Sequence, residues 1–287
     1  MLIEDLPGMI VEQRAIASRH LKRQVVVDLY LPKAIVDPAE LSLLLLNDGQ
    51  DLEDMPYAPL VEEQMRTGAI GPLVTAGIHA NKHRKSEYGV ASQPDFAGRG
   101  DRADAHRRFV VDELIPFIQK SYAVPSFRQV VFGGFSLGGL SAIDIAWAHP
   151  ELFSAAAVFS GSLWWRSRDL GEGYHDDQHR IIHQVIRAGS FHPGQRFYFT
   201  TGSLDETADR NANGIIDSID DTEDLIRELK AKGYGEEDIR YINFEDGRHD
   251  VATWARALPD FLRWCFGSAK EEGETREALS TSAGESC

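Results

Sequence analysis

One short segment carries the residue types and spacing for covalent chemistry. Gly134-Phe135-Ser136-Leu137-Gly138 fits the pattern G-x-S-x-G, with the apolar run Val130 to Phe132 ahead of it. A nucleophilic serine has to project from a sharp strand-to-helix turn. The positions two before and two after it must be small, because their Cβ atoms would collide across that turn. The helix that follows points its first amides at the site and favours developing negative charge. Ser136 is the candidate nucleophile, and the Leu137 amide directly after it is a candidate oxyanion donor.

A serine hydroxyl needs a base within reach and an acid to orient that base. His249, the last of ten histidines, lies in a turn after the strand-like run Ile239 to Phe244 and before a helix. For the acid, the strand-like run Phe197 to Thr201 leads into Gly202-Ser203-Leu204-Asp205-Glu206. A carboxylate just past the C-terminal end of a strand faces the same sheet edge as the serine turn. Asp205 is the first choice, with Glu206 and Asp209 as alternatives.

A second pattern suits a cation. Asp209, Asn211, Asn213, Asp217 and Asp220 place side-chain oxygens at positions 1, 3, 5, 9 and 12 of a twelve-residue loop. Gly214 stands at position 6, Ile215 offers its carbonyl at 7, and Ile216 is the apolar residue at 8. This is the layout of an EF-hand calcium loop, with Asp220 in place of the usual bidentate glutamate. Eight carboxylates and one basic residue, Arg210, lie from Leu204 to Asp224. Such crowding favours a bound structural calcium ion over a solvated acidic turn. A helix is expected to follow from Asp221. His175, His179 and His183 recur every four residues and would share a helix face; without a carboxylate motif, a solvated face is preferred to a metal site.

The elements that must position these groups alternate. Met9 to Ser18 and Arg23 to Leu31 suggest a hairpin turning near His20. Leu43 to Leu46 reads as a strand buried on both faces, ending in the turn signal Asn47-Asp48-Gly49. Leu60 to Met65 reads as helix and Pro72 to Ile78 as strand. Ala103 to Tyr122 is amphipathic at helical spacing, with Pro116 inside it as a bend or stop. Leu140 to Trp147, Leu225 to Lys232 and Ala252 to Cys265 complete the helices, and Ala155 to Phe159 adds a strand. Strands alternating with helices imply an α/β fold, with a mostly parallel central sheet and helices on both faces. Residues 1–266 read as a single domain and 267–287 as a disordered acidic tail.

The chain has 287 residues, 43% hydrophobic and 26% charged, with a formal net charge of -15. That charge repels phosphate backbones and anionic membranes, so neither nucleic acid nor membrane is an expected partner. The two cysteines, Cys265 and Cys287, make neither a disulfide framework nor a thiolate zinc site, and Cys265 reads as a small core residue. The start MLIEDLPGMIVEQ lacks the basic and apolar stretches of a secretory signal, so a cytoplasmic protein is expected, with an already removed leader as the alternative. Oligomeric state is not legible.

Several motifs in one order resemble a known family. They are Leu46-Asn47-Asp48-Gly49-Gln50, Arg84-Lys85-Ser86-Glu87-Tyr88, the turn around Ser136, Ala148-His149-Pro150-Glu151-Leu152-Phe153, Ser160-Gly161-Ser162-Leu163-Trp164-Trp165, and Gly247-Arg248-His249-Asp250. Together they resemble the esterase-D-like "putative esterase" branch of the α/β-hydrolases, from about Met9 to Phe266. That branch includes enterochelin, S-formylglutathione, feruloyl and acetylxylan esterases, and mycolyltransferases. The resemblance implies an α/β-hydrolase fold and a Ser136–Asp205–His249 triad. It places the second oxyanion amide at Gln50, with Asp51 as a close alternative. It also implies a serine esterase that acts on a small-molecule ester through an acyl-enzyme, with no cofactor for the chemistry. Rival readings are acyl transfer to an alcohol and a non-catalytic calcium-binding or interaction protein on the same scaffold. Trp164 and Trp165 are candidate pocket walls, or else an aromatic pair closing the core. Arg84 is a candidate substrate contact, although an Arg84–Glu87 pair is preferred. Trp254 is expected to pack against the His249 turn.

Overall fold

The computed structural model describes residues 1–267 except Val36 and Glu172. The tail expected at 267–287 therefore lies outside the described residues, apart from Gly267. The chain opens with β1 (Leu2–Asp5), β2 (Met9–Ser18), β3 (Arg23–Pro32) and β4 (Ser42–Asn47). Then come α1 (Tyr57–Thr67), β5 (Leu73–Ile78), α2 (Arg84–Glu87), α3 (Ala103–Arg108) and α4 (Ile115–Ser121). The central units are β6 (Val130–Phe135), α5 (Leu137–Ala148) and β7 (Ala155–Phe159), followed by α6 (Asp176–His179) and α7 (Ile181–Ala188). The described chain closes with β8 (Arg196–Leu204), α8 (Asp217–Lys232), β9 (Ile239–Arg248) and α9 (Val251–Phe266).

The strands form one sheet in the order β1-β2-β3-β5-β4-β6-β7-β8-β9. β1, β2, β3 and β5 pair antiparallel in succession; from β5 across to β9 every pairing is parallel. The expected α/β architecture is present, and the hairpin turns between Ser18 and Arg23. β1 had no signal in the sequence because all four of its residues are exposed, which leaves no alternation to read.

The unbroken leucine run of β4 shows why helices cover both faces. Leu43 and Leu45 point into one core with Phe109, Leu140, Ile182 and Leu225. Leu44 and Leu46 point into the other with Val61 of α1 and Leu258 and Phe261 of α9. Side chains alternate along a strand, so a strand apolar at every position has to be buried on both sides.

The helix expected over 103–122 is continuous but not uniform. A six-residue π-helical stretch, Phe109–Leu114, separates α3 from α4, and Pro116 falls in the first turn of α4. Proline is tolerated there because the π stretch interrupts the regular i-to-i−4 ladder that its missing N–H and its ring would otherwise disrupt. The widened turn ahead of it thus accommodates the residue that was expected to bend or stop the helix. No described helix is long and apolar enough to cross a membrane.

Candidate active site

Ser136 sits between β6 and α5 with φ 55 and ψ -122, a backbone conformation that a residue with a Cβ adopts only under constraint. Its amide donates to the Phe159 carbonyl of β7 at 2.8 Å, and its carbonyl accepts from Ser162 at 3.1 Å. The small flanking residues behave as the turn requires. A Cβ on Gly134 would lie 2.5 Å from the Gly138 carbonyl carbon, and one on Gly138 would lie 2.5 Å from Asp48 Oδ2.

Asp205 follows β8, and His249 lies between β9 and α9. Both line a cavity of about 250 Å³ with Ser136, Ser162 and Trp164. Three strands of the parallel sheet thus deliver the three predicted triad members to one cleft, at the C-terminal edge of the sheet. Asp205 Oδ2 accepts from the Gly202 amide at 3.0 Å, while Oδ1 is buried with no hydrogen-bond partner. Burial raises the Asp205 pKa, opposed by the Gly202 amide, the Ser160 hydroxyl and the charge of His249. Burial likewise lowers the His249 pKa, with attraction from Asp205 opposing the shift and repulsion from Arg84 adding to it. Trp254 packs edge-on against His249, 5.3 Å between ring centroids, and its indole N–H donates to Ser160 Oγ at 3.1 Å. The Ser136 hydroxyl stands 3.3 Å from that of Ser162.

The alternative acids are placed differently. Glu206 also lines the cleft, but it lies beside the start of α8, where the Ser218 amide favours its charged form. Asp209 is turned onto the Asn213 and Gly214 amides of its own loop.

Leu137 is the first residue of α5, where helical amides have no intrahelical acceptor. Gln50 lies in the 3₁₀ turn Gly49–Leu52 that follows β4, and its side-chain carbonyl accepts from Ala80 N at 2.9 Å. The Asp51 amide donates to the Asp48 carbonyl at 3.0 Å, which leaves Gln50 the better donor of the two.

Arg84 does not pair with Glu87. Its guanidinium grips Asp48 with two bonds of 2.7 Å and reaches the Phe135 carbonyl at 3.3 Å. Glu87 is held instead by Arg23 and Arg102. Asp48 is almost fully buried at φ 60 and heads the Gln50 turn. The neighbouring Asn47 donates to the Gly138 carbonyl at 2.9 Å and accepts from His106 at 3.0 Å. Burial pushes the His106 pKa down to about 3, so the ring is a neutral donor. The Gln50 turn and the Ser136 turn are therefore tied together by Asp48, Asn47 and Arg84. Asn47-Asp48-Gly49 reads only as a turn in the sequence; the signal for a clamp was an aspartate beside a glycine at the end of an otherwise apolar strand.

The tryptophan pair divides between its two readings. Trp164 lines the cleft, whereas Trp165 is 1% exposed and rests against Gly89 and Gly100 beneath it. Trp165 is thus a core residue and not a pocket wall. The three histidines do not share a helix, because α6 ends at His179 and Arg180 is extended. His183 is buried, with Nε2 2.9 Å from the Asp221 carbonyl, which corrects the solvated-face reading for that residue. Cys265 is buried in the core as expected.

The acidic segment also has an unexpected neutraliser. Arg210 reaches Asp176 at 2.6 Å and also engages Asp217 and Asp221, while Arg180 holds Asp221 at 2.6 Å and Asp224 at 2.5 Å. Charge crowding alone therefore does not require an ion there. Helix α8 begins at Asp217, earlier than the expected Asp221. No group of three or more His, Cys, Asp or Glu side chains poised to hold a metal occurs among the described residues.

Removing the Asp48 charge should separate the two turns. Asp48→Asn leaves the Arg84 fork without its carboxylate. Because Arg84 is about a third exposed, the expected loss of stability is about 1–3 kcal/mol by denaturant titration, below that of a fully buried pair. Covalent labelling of Ser136 by a fluorophosphonate should slow roughly 10- to 100-fold in the folded variant, since an ångström of misplacement is costly. Unchanged labelling would show that the pair has no role in aligning the site.

A sequence profile described as "Putative esterase" matches residues 18–265. The chain is 26% identical over 262 residues to the iron(III) salmochelin esterase of Escherichia coli O6:H1, covering 88% of this chain and 56% of that protein. It is 26% identical over 182 residues to the ferri-bacillibactin esterase BesA of Bacillus subtilis, covering 56% of this chain and 60% of that one. The chain thus spans 56% to 60% of the length of these curated relatives. Among solved structures, enterochelin esterase from Shigella flexneri superposes with a TM-score of 0.67 at 23% identity, over 91% of this chain and 58% of that one. Siderophore hydrolase EstB from Aspergillus nidulans gives 0.68 at 14% identity, over 93% and 98%. These structures share the fold. With the profile matched over most of its length, the chain belongs to the "Putative esterase" family.

Proposed function

We propose that the protein is a serine carboxylic-ester hydrolase working through an acyl-enzyme. The observation that carries this reading is the convergence of Ser136, Asp205 and His249, each from the end of a different strand, on one cleft. Ser136 Oγ attacks the ester carbonyl as His249 takes its proton. Asp205, whose Oδ1 lacks a partner, receives the second imidazole N–H and stabilises the imidazolium. The Leu137 and Gln50 amides hold the tetrahedral oxyanion. His249 returns the proton to the leaving alcohol, and water repeats the sequence to release the acid. Acyl transfer would differ only in an alcohol replacing that water. The relatives' names make siderophore esters the first class for a substrate panel.

Ser136→Ala should abolish fluorophosphonate labelling and lower short-chain ester turnover by several orders of magnitude. A folded variant that still labels would exclude Ser136 as the nucleophile. The base must be neutral to accept a proton, and burial holds the His249 pKa below 6.5. The acid limb of kcat/KM should accordingly lie below pH 6.5, with activity falling as pH drops through it. A limb centred above 6.5 would contradict this assignment.

For the loop 209–220 we propose a structural calcium ion held by Asp209, Asn211, Asn213, the Ile215 carbonyl, Asp217 and Asp220. Its support is the spacing of the oxygen side chains; the Asn211 and Asn213 side-chain amides donate to the Asp220 carboxylate at 2.8 and 3.3 Å, so both amides would have to turn their oxygens inward to hold the ion. The ion would supply no step of the chemistry; it would fix the segment that follows Asp205. Calcium at a hundredfold excess over its dissociation constant should stabilise the fold by about 2.7 kcal/mol. Asp209→Ala with Asp217→Ala should erase the difference in melting temperature between calcium and chelator. Identical melting of the unaltered protein in both, with no heat of binding, would leave an acidic turn.

A further inference from the structure

The cleft holds a carboxylate that the reaction does not use. Glu206 is half-buried beside Asp205, and the charges bearing on it are the carboxylates Asp217, Asp221 and Asp205. Two of these have cations of their own, since Arg210 engages Asp217 and Asp221. The third faces His249. Among the described residues no arginine or lysine pairs with Glu206, and none lines the cleft. What favours its charge is the Ser218 amide at the N-terminus of α8, where a carboxylate complements the helix dipole. Ser218 itself lines the cleft, is 7% exposed, and has a hydroxyl with no hydrogen-bond partner.

Burying a charge without a counter-ion is costly, and so is burying a hydroxyl without a partner. Both costs fall on one wall of the same cleft, next to the reacting groups. A ligand bearing a positive hydrogen-bond donor would offset both at once. We propose that Glu206 and Ser218 form a cation subsite, so that the enzyme prefers esters whose alcohol or acyl part carries a protonated amine. This rests on the serine-esterase reading and specifies its substrate class. The competing cations are Arg84, which bears on His249 but is gripped by Asp48, and Arg99 and Arg166, which stack on the Trp164 ring at 5.1 and 5.8 Å. Those guanidiniums are already paired, Arg99 with Asp95 and Arg166 with Asp169. Glu206 therefore sets the uncompensated sign of the cleft.

The test uses the full chain and three acetate esters of matched shape at pH 7: 2-(dimethylamino)ethyl, 3-methylbutyl and 2-carboxyethyl. Acetate release gives kcat/KM for each; where turnover is too slow to read, protection of Ser136 from the fluorophosphonate by the same esters gives the ratio. The cationic ester should exceed its neutral isostere by at least about tenfold, and the anionic ester should rank last, as expected for unit charges interacting across a partly solvated cleft. Glu206→Gln keeps an acceptor for the Ser218 amide and removes only the charge, so the cationic-to-neutral ratio should collapse toward one. A ratio near one in the unaltered enzyme, a preference for the anionic ester, or a ratio that survives Glu206→Gln would each overturn the subsite. A chain that neither labels nor cleaves any ester would overturn the serine-esterase reading instead.

Discussion

A serine held at φ 55 between a strand and a helix is the constraint from which the rest of the site follows. Such a backbone persists only if its surroundings over-determine it. Here β7 holds the Ser136 amide, Ser162 holds its carbonyl, and Gly138 gives Asp48 room to approach. Asp48 is in turn gripped by Arg84, which also touches the carbonyl of the residue before the nucleophile. Two loops that are far apart in the chain thus share one rigid support. This matters chemically, because oxyanion donors act through placement fixed before the reaction begins.

The same economy governs the buried charges. The chain carries a net charge of -15, yet four of its most buried carboxylates are held by arginines, whereas Asp144 accepts the Ala91 amide and its pKa is pushed up to about 7 by burial. Asp48 has Arg84, Glu87 has Arg23 and Arg102, Asp95 has Arg99, and Asp221 has Arg180 and Arg210. The arginine fork suits this task because it gives two parallel bonds in a fixed plane. Pairs of this kind contribute little net stability against an apolar replacement, but they are costly to break singly. They select one geometry for the loops above the sheet. Against that background, the cleft carboxylates Asp205 and Glu206 have no arginine; Asp205 faces His249, and Glu206 has no cation among the described residues.

The cleft is then a meeting of two kinds of order. The sheet supplies a fixed edge, on which β6, β8 and β9 all end, with β7 between the first two. The loops supply the candidate groups: His249 is packed by Trp254, which also donates to Ser160, and the Ser160 hydroxyl favours the charged form of Asp205. A single aromatic residue of α9 thereby positions two loops at once. Loops carry function in this fold because the scaffold beneath them does not move.

The sequence by itself determined most of the local elements and the turn that presents Ser136. Apolar period decides strand from helix, and Leu43 to Leu46 declared a strand covered on both sides. Gly134 and Gly138 declared the turn, because only small residues fit across it. That Asp205 and His249 would meet Ser136 at one sheet edge was legible from their places after strands, with the family resemblance adding weight. Tertiary structure alone decided which charges meet. Arg84 chose Asp48 over its helical neighbour Glu87, Arg180 joined an acidic segment far along the chain, and Trp165 went under the cleft while Trp164 lined it. β1 was invisible because a fully exposed strand has no pattern. Local propensity acts over a few residues, whereas an ion pair or a packed ring depends on distances between segments that only the folded sheet brings together.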